Sequence, residues 1–128
     1  MTRILVVDDE PDVVDLVRTI LEGDGYEVVT TTEGKRALGL MLADPPDLLV
    51  LDLMMPEMDG FQVLKLMRMD RRTAAVPVVI LSARSQAQDQ IGGLQLHASA
   101  YVCKPFSPKD LLAEVRNLLG GRGVRTDG

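Results

Sequence analysis

The sequence predicts an α/β fold in which a parallel sheet is covered by helices on both faces. Short apolar runs of strand length alternate with amphipathic helical patterns along the 128 residues, and this alternation is typical of β-α-β units. Most of the runs are apolar throughout, as expected of strands that are buried on both faces. Each element can therefore be placed by its periodicity and by the residues that interrupt it.

The first half of the chain contains three predicted strands, at residues 4–7, 27–31 and 48–51. A helix separates the first two. It begins at Pro11, because the first helical turn tolerates a proline, and glycines at 23 and 25 end it. Its apolar residues recur at helical spacing and are expected to face the core: Val13, Leu16, Val17, Ile20 and Leu21.

The next two helices follow from the same periodicity. The second begins near Glu33 and ends before residues 44–46 (DPP), because prolines break a helix. The third follows the third strand after a turn-rich loop. The residues predicted to face the core are Ala37, Leu38, Met41 and Leu42 in the second helix, and Phe61, Leu64 and Met67 in the third.

The second half of the chain contains strands at residues 78–81 and 101–103 and two more helices. The helix predicted over residues 85–96 is expected to be loosely held, because Gly92 and Gly93 each cost about 1 kcal/mol relative to alanine. The last helix has Ser107 as its N-cap and ends at glycines 120 and 121. Its apolar face consists of Leu111, Leu112, Val115, Leu118 and Leu119.

Four of the predicted strands lead directly into side chains that can take part in chemistry. Asp8 and Asp9 follow the first strand, Asp52 the third, Ser82 the fourth and Lys104 the fifth. In open α/β sheets, ligands bind outside the carboxyl ends of parallel strands. We therefore expect these five side chains to meet in one cleft.

The acids of this cleft predict a metal ion. Carboxylates a few ångströms apart raise one another's pKa unless a cation neutralises them. Oxygen ligands without His or Cys select a hard ion, and Mg²⁺ suits a site that offers few carboxylates. Lys104 adds a second positive charge, suited to a single anionic oxygen. A metal ion, a lysine, a hydroxyl and one available carboxylate are what phosphoryl transfer to an aspartate requires.

The composition fits one globular domain with 46% apolar residues. No apolar run approaches the roughly 20 residues that cross a bilayer, and the N-terminus lacks a signal-peptide pattern, so we expect a cytoplasmic protein with no membrane partner. The net charge of −5 does not favour direct binding to nucleic acid, which is itself negatively charged. The single cysteine, Cys103, can form no internal disulfide and is expected to be a small buried residue.

Four motifs, taken in order, resemble the receiver domain of two-component response regulators. They are Asp8-Asp9-Glu10, residues 52–60 (DLMMPEMDG), Ser82-Ala83 and residues 101–106 (YVCKPF). The similarity runs from about residue 3 to residue 119, and it implies a flavodoxin-like (CheY-like) fold with a doubly wound, five-stranded parallel sheet. Residues 1–120 would form the receiver domain, and residues 121–128 a flexible C-terminal tail or the start of a linker.

The resemblance also implies a phosphoacceptor and a metal site. Asp52 would accept a phosphoryl group from a histidine kinase or a histidine phosphotransfer protein. Asp8 and Asp9 would hold Mg²⁺ together with the carboxylate of Asp52 and the backbone carbonyl of Met54, and Mn²⁺ could take its place. Such a domain is a switch and not an enzyme, because it catalyses only its own phosphorylation and dephosphorylation.

The remaining roles implied by the resemblance concern the switch. Ser82 would bond one phosphoryl oxygen and Lys104 another, and Tyr101 would swing inward when Ser82 moves. The Lys104–Pro105 bond would be a cis peptide. An output partner would bind the fourth predicted helix, the fifth strand and the last helix, and the same surface would allow a phosphorylation-dependent homodimer.

Several of these residues, and the domain as a whole, also have alternative interpretations. The acids at 8–10 could be ordinary helix N-terminal acids, and we assign Glu10 to that role. A phosphohydrolase would need a second acid two residues after Asp52, where the chain has Met54. A receiver-shaped interaction module that is never phosphorylated is the other alternative.

Two departures from the family pattern are visible in the sequence. Residues 97–100 (HASA) stand where the family often has Gly-Ala-Asp-Asp, so the turn into the fifth strand is expected to differ. Met54 and Arg84 occupy positions that in the family tune hydrolysis of the acyl phosphate. His97, the sole histidine, is predicted to be a surface turn residue, so the phosphodonor must come from another protein.

Overall fold

The structure is a computed structural model that describes residues 1–53, 55, 60–83 and 98–120. Five strands and four helices lie in these ranges. They are β1 (Arg3–Val7), α1 (Pro11–Gly23), β2 (Glu27–Thr31), α2 (Gly34–Ala43), β3 (Leu48–Asp52), α3 (Gly60–Met69), β4 (Val78–Ala83), β5 (Ala100–Lys104) and α4 (Pro108–Gly120). Helix α4 is therefore the last of the helices predicted from the sequence.

The five strands form one parallel sheet in the order β2-β1-β3-β4-β5. This is the flavodoxin-like order, and it confirms the predicted fold class. The chain runs outward from β1 to β2 and then returns to β3 on the other side of β1, so the direction of winding reverses between β1 and β3. Ligands of this fold bind at that reversal, outside the carboxyl ends of the strands.

The helices cover the sheet in two layers, each with its own core. In β3, Leu49 and Leu51 pack on the face that carries α2 and α3, while Leu48 and Val50 pack on the face that carries α1 and α4. All of these side chains are fully buried. The alternation of faces explains why this central strand is apolar at every position from 48 to 51.

The predicted core face of α1 was wrong at two positions, because it included Leu16 and left out Val14. Val14, Val17 and Leu21 are buried, whereas Leu16 is 49% exposed. Val14, Val17 and Leu21 are spaced three and four residues apart and define a stripe, and Leu16 lies outside it because each residue turns the helix by about 100°. Leu16 instead lines an open groove beside Phe106.

The prediction for Cys103 was also wrong, because its side chain is exposed. β5 is an edge strand of the sheet, and successive side chains of a strand point to opposite faces. Val102 takes the buried position in the core shared with α1 and α4. Cys103 therefore points the other way.

Two side-chain hydrogen bonds set the ends of elements in the second half. The backbone N–H of Asp110 donates to Oγ of Ser107 at 3.1 Å, which confirms the predicted N-cap of α4. At the turn into β5, the N–H of Val78 donates to Oγ of Ser99 at 3.0 Å, and the N–H of Ser99 donates to the carbonyl of Val78 at 2.8 Å. Ser99 thus joins this turn to the start of β4.

Some predictions fall outside the described residues: the helix over residues 85–96, the loop position Met54, Arg84, His97, and the tail 121–128. Among the described helices, none is long and apolar enough to span a bilayer.

Candidate functional site

Asp8 is the first residue after β1, and its carboxylate is completely buried. Its Oδ1 accepts a hydrogen bond from the backbone N–H of Glu10 at 3.0 Å, and its own N–H donates to the carbonyl of Thr31 at 3.3 Å. Within the described part of the chain, Oδ2 accepts no hydrogen bond of standard geometry. A buried anionic oxygen in that condition is costly unless a cation lies close to it.

Lys104, the last residue of β5, brings its ammonium to this oxygen. Nζ lies 2.9 Å from Oδ2 of Asp8, 3.4 Å from Oε1 of Glu10 and 3.6 Å from Oδ2 of Asp52. One ammonium therefore faces three carboxylates. The contact with Asp8 is an ion pair in distance, although its angle does not make it a good hydrogen bond.

The acids around Lys104 change its acidity. Burial by itself would lower the pKa of the ammonium, but the close contact with Asp8 and the charges of Asp52 and Glu10 act more strongly in the opposite direction. The pKa is therefore raised above its ordinary value of 10.5. Lys104 stays fully protonated at neutral pH and can serve as a fixed positive charge.

Asp52 ends β3, the central strand, and only 4% of its surface is exposed. In the neighbouring strand it pairs in register with Leu81, so Ser82 follows directly beside it. Ser82 is completely buried. Ala83, the next residue, pairs with Lys104 in β5. The three strand ends thus place a carboxylate, a hydroxyl and an ammonium along one edge of the sheet.

Tyr101 lies earlier in β5, paired with Ile80 of β4, and packs on the core face that carries α2 and α3. Ser82 is two residues after Ile80 and so belongs to the same face of the sheet. Partial burial raises the pKa of the Tyr101 phenol. The Lys104–Pro105 peptide bond is cis, in agreement with the sequence expectation.

Three acids can supply metal ligands. Asp8, Asp9 and Glu10 each offer one carboxylate oxygen, and these oxygens lie within 4.8 Å of one another. All are hard oxygen donors, and the buried Oδ2 of Asp8 lacks a hydrogen bond from the described residues. The set therefore fits a hard divalent cation.

Glu10 takes a larger part in this cluster than its sequence position indicated. Its backbone carbonyl accepts the first N–H groups of α1, as a helix N-cap does, but its carboxylate also faces Lys104. Helix α1 begins at the carboxyl edge of the sheet, and this could have indicated that Glu10 lies close to the cleft. Two other ligands are expected at the site. Asp52 is not one of the three clustered acids, although its Oδ2 faces the same Lys104 ammonium, and Met54 lies outside the described residues.

The sequence matches the family model described as "Response regulator receiver domain" over residues 4–116. The chain belongs to this family. The curated response regulator SaeR of Staphylococcus aureus is 46% identical to this receiver domain over 119 residues. That similarity covers 93% of the chain but 51% of SaeR, so the chain spans about half the length of the curated relatives it matches.

Solved structures show the same fold. The chemotaxis protein CheY4 of Vibrio cholerae superposes with a TM-score of 0.87 at 30% identity, covering 93% of this receiver domain and 99% of CheY4. The signal receiver domain of a signal transduction histidine kinase from Syntrophus aciditrophicus gives a TM-score of 0.87 at 29% identity, covering 100% and 96% of the two chains. Both similarities extend over nearly the whole of this chain and of the matched chain.

Proposed function

We propose that this receiver domain accepts a phosphoryl group on Asp52 from a histidine kinase or a histidine phosphotransfer protein and changes conformation in response. The observation that carries the proposal is the position of the Asp52 carboxylate. It is almost fully buried at the end of the central strand, with Oδ2 3.6 Å from the Lys104 ammonium and close to the acid cluster. A carboxylate held beside an excess of negative charge favours a role in chemistry over a structural one.

In the proposed transfer, a carboxylate oxygen of Asp52 forms a bond to the phosphorus of a phosphohistidine while the P–N bond of the donor breaks. The imidazole nitrogen keeps the electron pair of that bond and takes a proton from water. Lys104 is placed to balance the negative charge on a phosphoryl oxygen, because its ammonium already lies between Asp8 and Asp52.

The chain's own residues would hold the metal ion for this reaction. We assign its ligands to the carboxylates of Asp8, Asp9 and Asp52 and to the backbone carbonyl of Met54. When bound, Mg²⁺ would neutralise part of the charge that the acceptor and the phosphoryl oxygens share. Mn²⁺ has the same preference for oxygen ligands and could replace it.

The switch follows from what the phosphoryl group adds. Phosphorylation brings about −1.5 to −2 units of charge and three acceptor oxygens. Lys104 can satisfy one oxygen, and the hydroxyl of Ser82 can satisfy another if the end of β4 moves toward Asp52. Because Tyr101 packs on the same face of the sheet, it would fill the space that this movement opens. Couplings of this kind are typically about 1 to 3 kcal/mol.

The partners follow from the same proposal. The output surface consists of β5, α4 and the helix predicted over residues 85–96, and it would bind an effector or a second phosphorylated copy. We propose that residues 1–120 form the switching unit and that residues 121–128 are a tail or linker. The domain acts as a signalling switch whose only catalysis is its own phosphorylation and dephosphorylation.

Replacing the acceptor tests the proposal directly. Wild type, Asp52→Asn and the control Asp15→Asn, which changes an exposed acid of α1, are incubated with acetyl phosphate and Mg²⁺. We expect intact-protein mass spectrometry to show one hydroxylamine-sensitive phosphoryl group on wild type and Asp15→Asn and none on Asp52→Asn. Equal uptake by Asp52→Asn would refute the assignment, and turnover of a phosphomonoester by wild type would favour a phosphohydrolase.

A further inference from the structure

Gly60, the first residue of α3, lies against the backbone of the proposed phosphoacceptor. A Cβ added at Gly60 would overlap the carbonyl oxygen of Asp52 and would lie 2.7 Å from Cα of Leu53. Real Cβ atoms essentially never come within 3.0 Å of a heavy atom outside their own residue and its two chain neighbours. Both neighbouring atoms belong to the main chain, so no side-chain rotation can relieve the contact.

A hydrogen bond fastens the same point. The N–H of Gly60 donates to the carbonyl of Leu53 at 2.8 Å, and the N–H of Leu53 donates to the carbonyl of Leu81 in β4 at 3.3 Å. The residue after Asp52 is thus held on one side by α3 and on the other by the strand that carries Ser82. Met54, whose carbonyl is assigned to the metal, is the next residue in the chain.

We propose that Gly60 is a positioning residue for phosphoryl transfer. Its bare Cα lets α3 close directly on the backbone of Asp52 and Leu53, and this contact sets the distance of the Asp52 carboxylate from Lys104. The inference rests on the proposed function, because it concerns the reactivity of Asp52. Glycine is needed here for space and not for an unusual backbone angle, since Gly60 is helical and does not have the positive φ found at Gly25.

The chain offers a matched control in Gly39. This glycine lies inside α2, the neighbouring helix of the same face, and an added Cβ there would have no heavy atom within 4 Å. Gly39→Ala should therefore raise the unfolding temperature, because alanine favours a helix interior more than glycine does. The same glycine-to-alanine substitution thus creates a contact with the Asp52 backbone at Gly60 and creates none at Gly39.

The experiment compares wild type, Gly39→Ala and Gly60→Ala. The rate of Asp52 phosphorylation by acetyl phosphate is measured over a Mg²⁺ titration, well below each variant's unfolding temperature, and is expressed per folded molecule. We expect Gly60→Ala to lower the rate at saturating Mg²⁺ by roughly 10- to 100-fold, because misplacing a reacting group by about 1 Å can cost 10²-fold. Gly39→Ala should keep the wild-type rate.

A purely structural role for Gly60 would lower the unfolding temperature and leave the rate per folded molecule unchanged, and that result would overturn the inference. If Gly60→Ala alone does not fold, the double variant Gly39→Ala/Gly60→Ala is assayed with trimethylamine N-oxide, which favours the compact state. A wild-type rate in that variant would equally refute the role. A wild-type chain that takes up no phosphoryl group would instead refute the proposed function, so the two failures are distinguishable.

Discussion

Two groups of opposite charges in this receiver domain are built in contrasting ways. On the outside, Arg116 of α4 meets Asp24 at the end of α1 with two hydrogen bonds, of 3.0 Å from Nε and 2.6 Å from Nη2. At the carboxyl edge of the sheet, Lys104 faces three carboxylates at 2.9 to 3.6 Å. The outer pair matches one cation to one anion, whereas the inner group has more negative than positive charge.

The difference indicates which group has a function beyond holding the fold together. In the outer pair Arg116 is exposed and Asp24 is partly buried, and their charges and hydrogen bonds satisfy each other, so the pair has nothing to offer a ligand. The inner group buries Asp8 with one oxygen poorly bonded and places Asp52 beside it, which costs stability. A cation or a phosphoryl group that enters this cleft meets partners already in place.

The largest expected effect comes from removing the inner cation. Lys104→Met should lower the rate of phosphorylation by acetyl phosphate by about 10²-fold, the usual cost of deleting a donor to a developing negative charge. Arg116→Gln, which removes the outer cation, should leave the rate unchanged. The comparison fails if both variants react at the wild-type rate in an initial-rate assay with Mg²⁺.

Substitutions in the two groups should differ in how much Mg²⁺ raises the free energy of unfolding. Mg²⁺ at 100 times its dissociation constant should raise the free energy of unfolding of wild type by about 2.7 kcal/mol. Asp8→Asn should lose most of this gain, since it replaces the buried ligand, while Asp24→Asn should retain it. Thermal unfolding with and without Mg²⁺, at matched ionic strength, measures the gain for each protein. Equal gains in wild type, Asp8→Asn and Asp24→Asn would show that Asp8 is not a metal ligand.

Much of the site could be predicted because the relevant side chains follow strands. Asp8, Asp52, Ser82 and Lys104 each end or follow a short apolar run, and a parallel sheet brings such ends to one edge. The strand boundaries agreed with the structure to within about two residues for the same reason. The motifs of the family then assigned a role to each position.

What the sequence did not reveal depends on three-dimensional contacts that periodicity does not encode. Leu16 is apolar but lies off the buried stripe of α1, and Cys103 lies on an edge strand where burial depends on what covers that face. Glu10 reaches Lys104 only because α1 begins at the same edge as β5 ends. The approach of Gly60 to the Asp52 backbone joins two residues across a loop, and no local pattern reports it.

The smallest effect should come from the outer pair, and its pH dependence sharpens the contrast. The hydrogen bond from Arg116 lowers the pKa of Asp24 below its ordinary value of 3.8. The stability this contributes is present above that value and disappears as pH falls through the lowered pKa. Arg116→Gln should thus lower the unfolding temperature by no more than about 4 °C at pH 7, and less in high salt.

Lys104 has a raised pKa, so its contribution persists through acid and neutral pH and is lost only above about 10.5, as pH rises through that pKa. Unfolding curves from pH 3 to pH 11 should therefore converge with wild type at the acid end for Arg116→Gln and at the alkaline end for Lys104→Met. Convergence of both variants at the same end would show that the two groups do not differ as their geometry indicates.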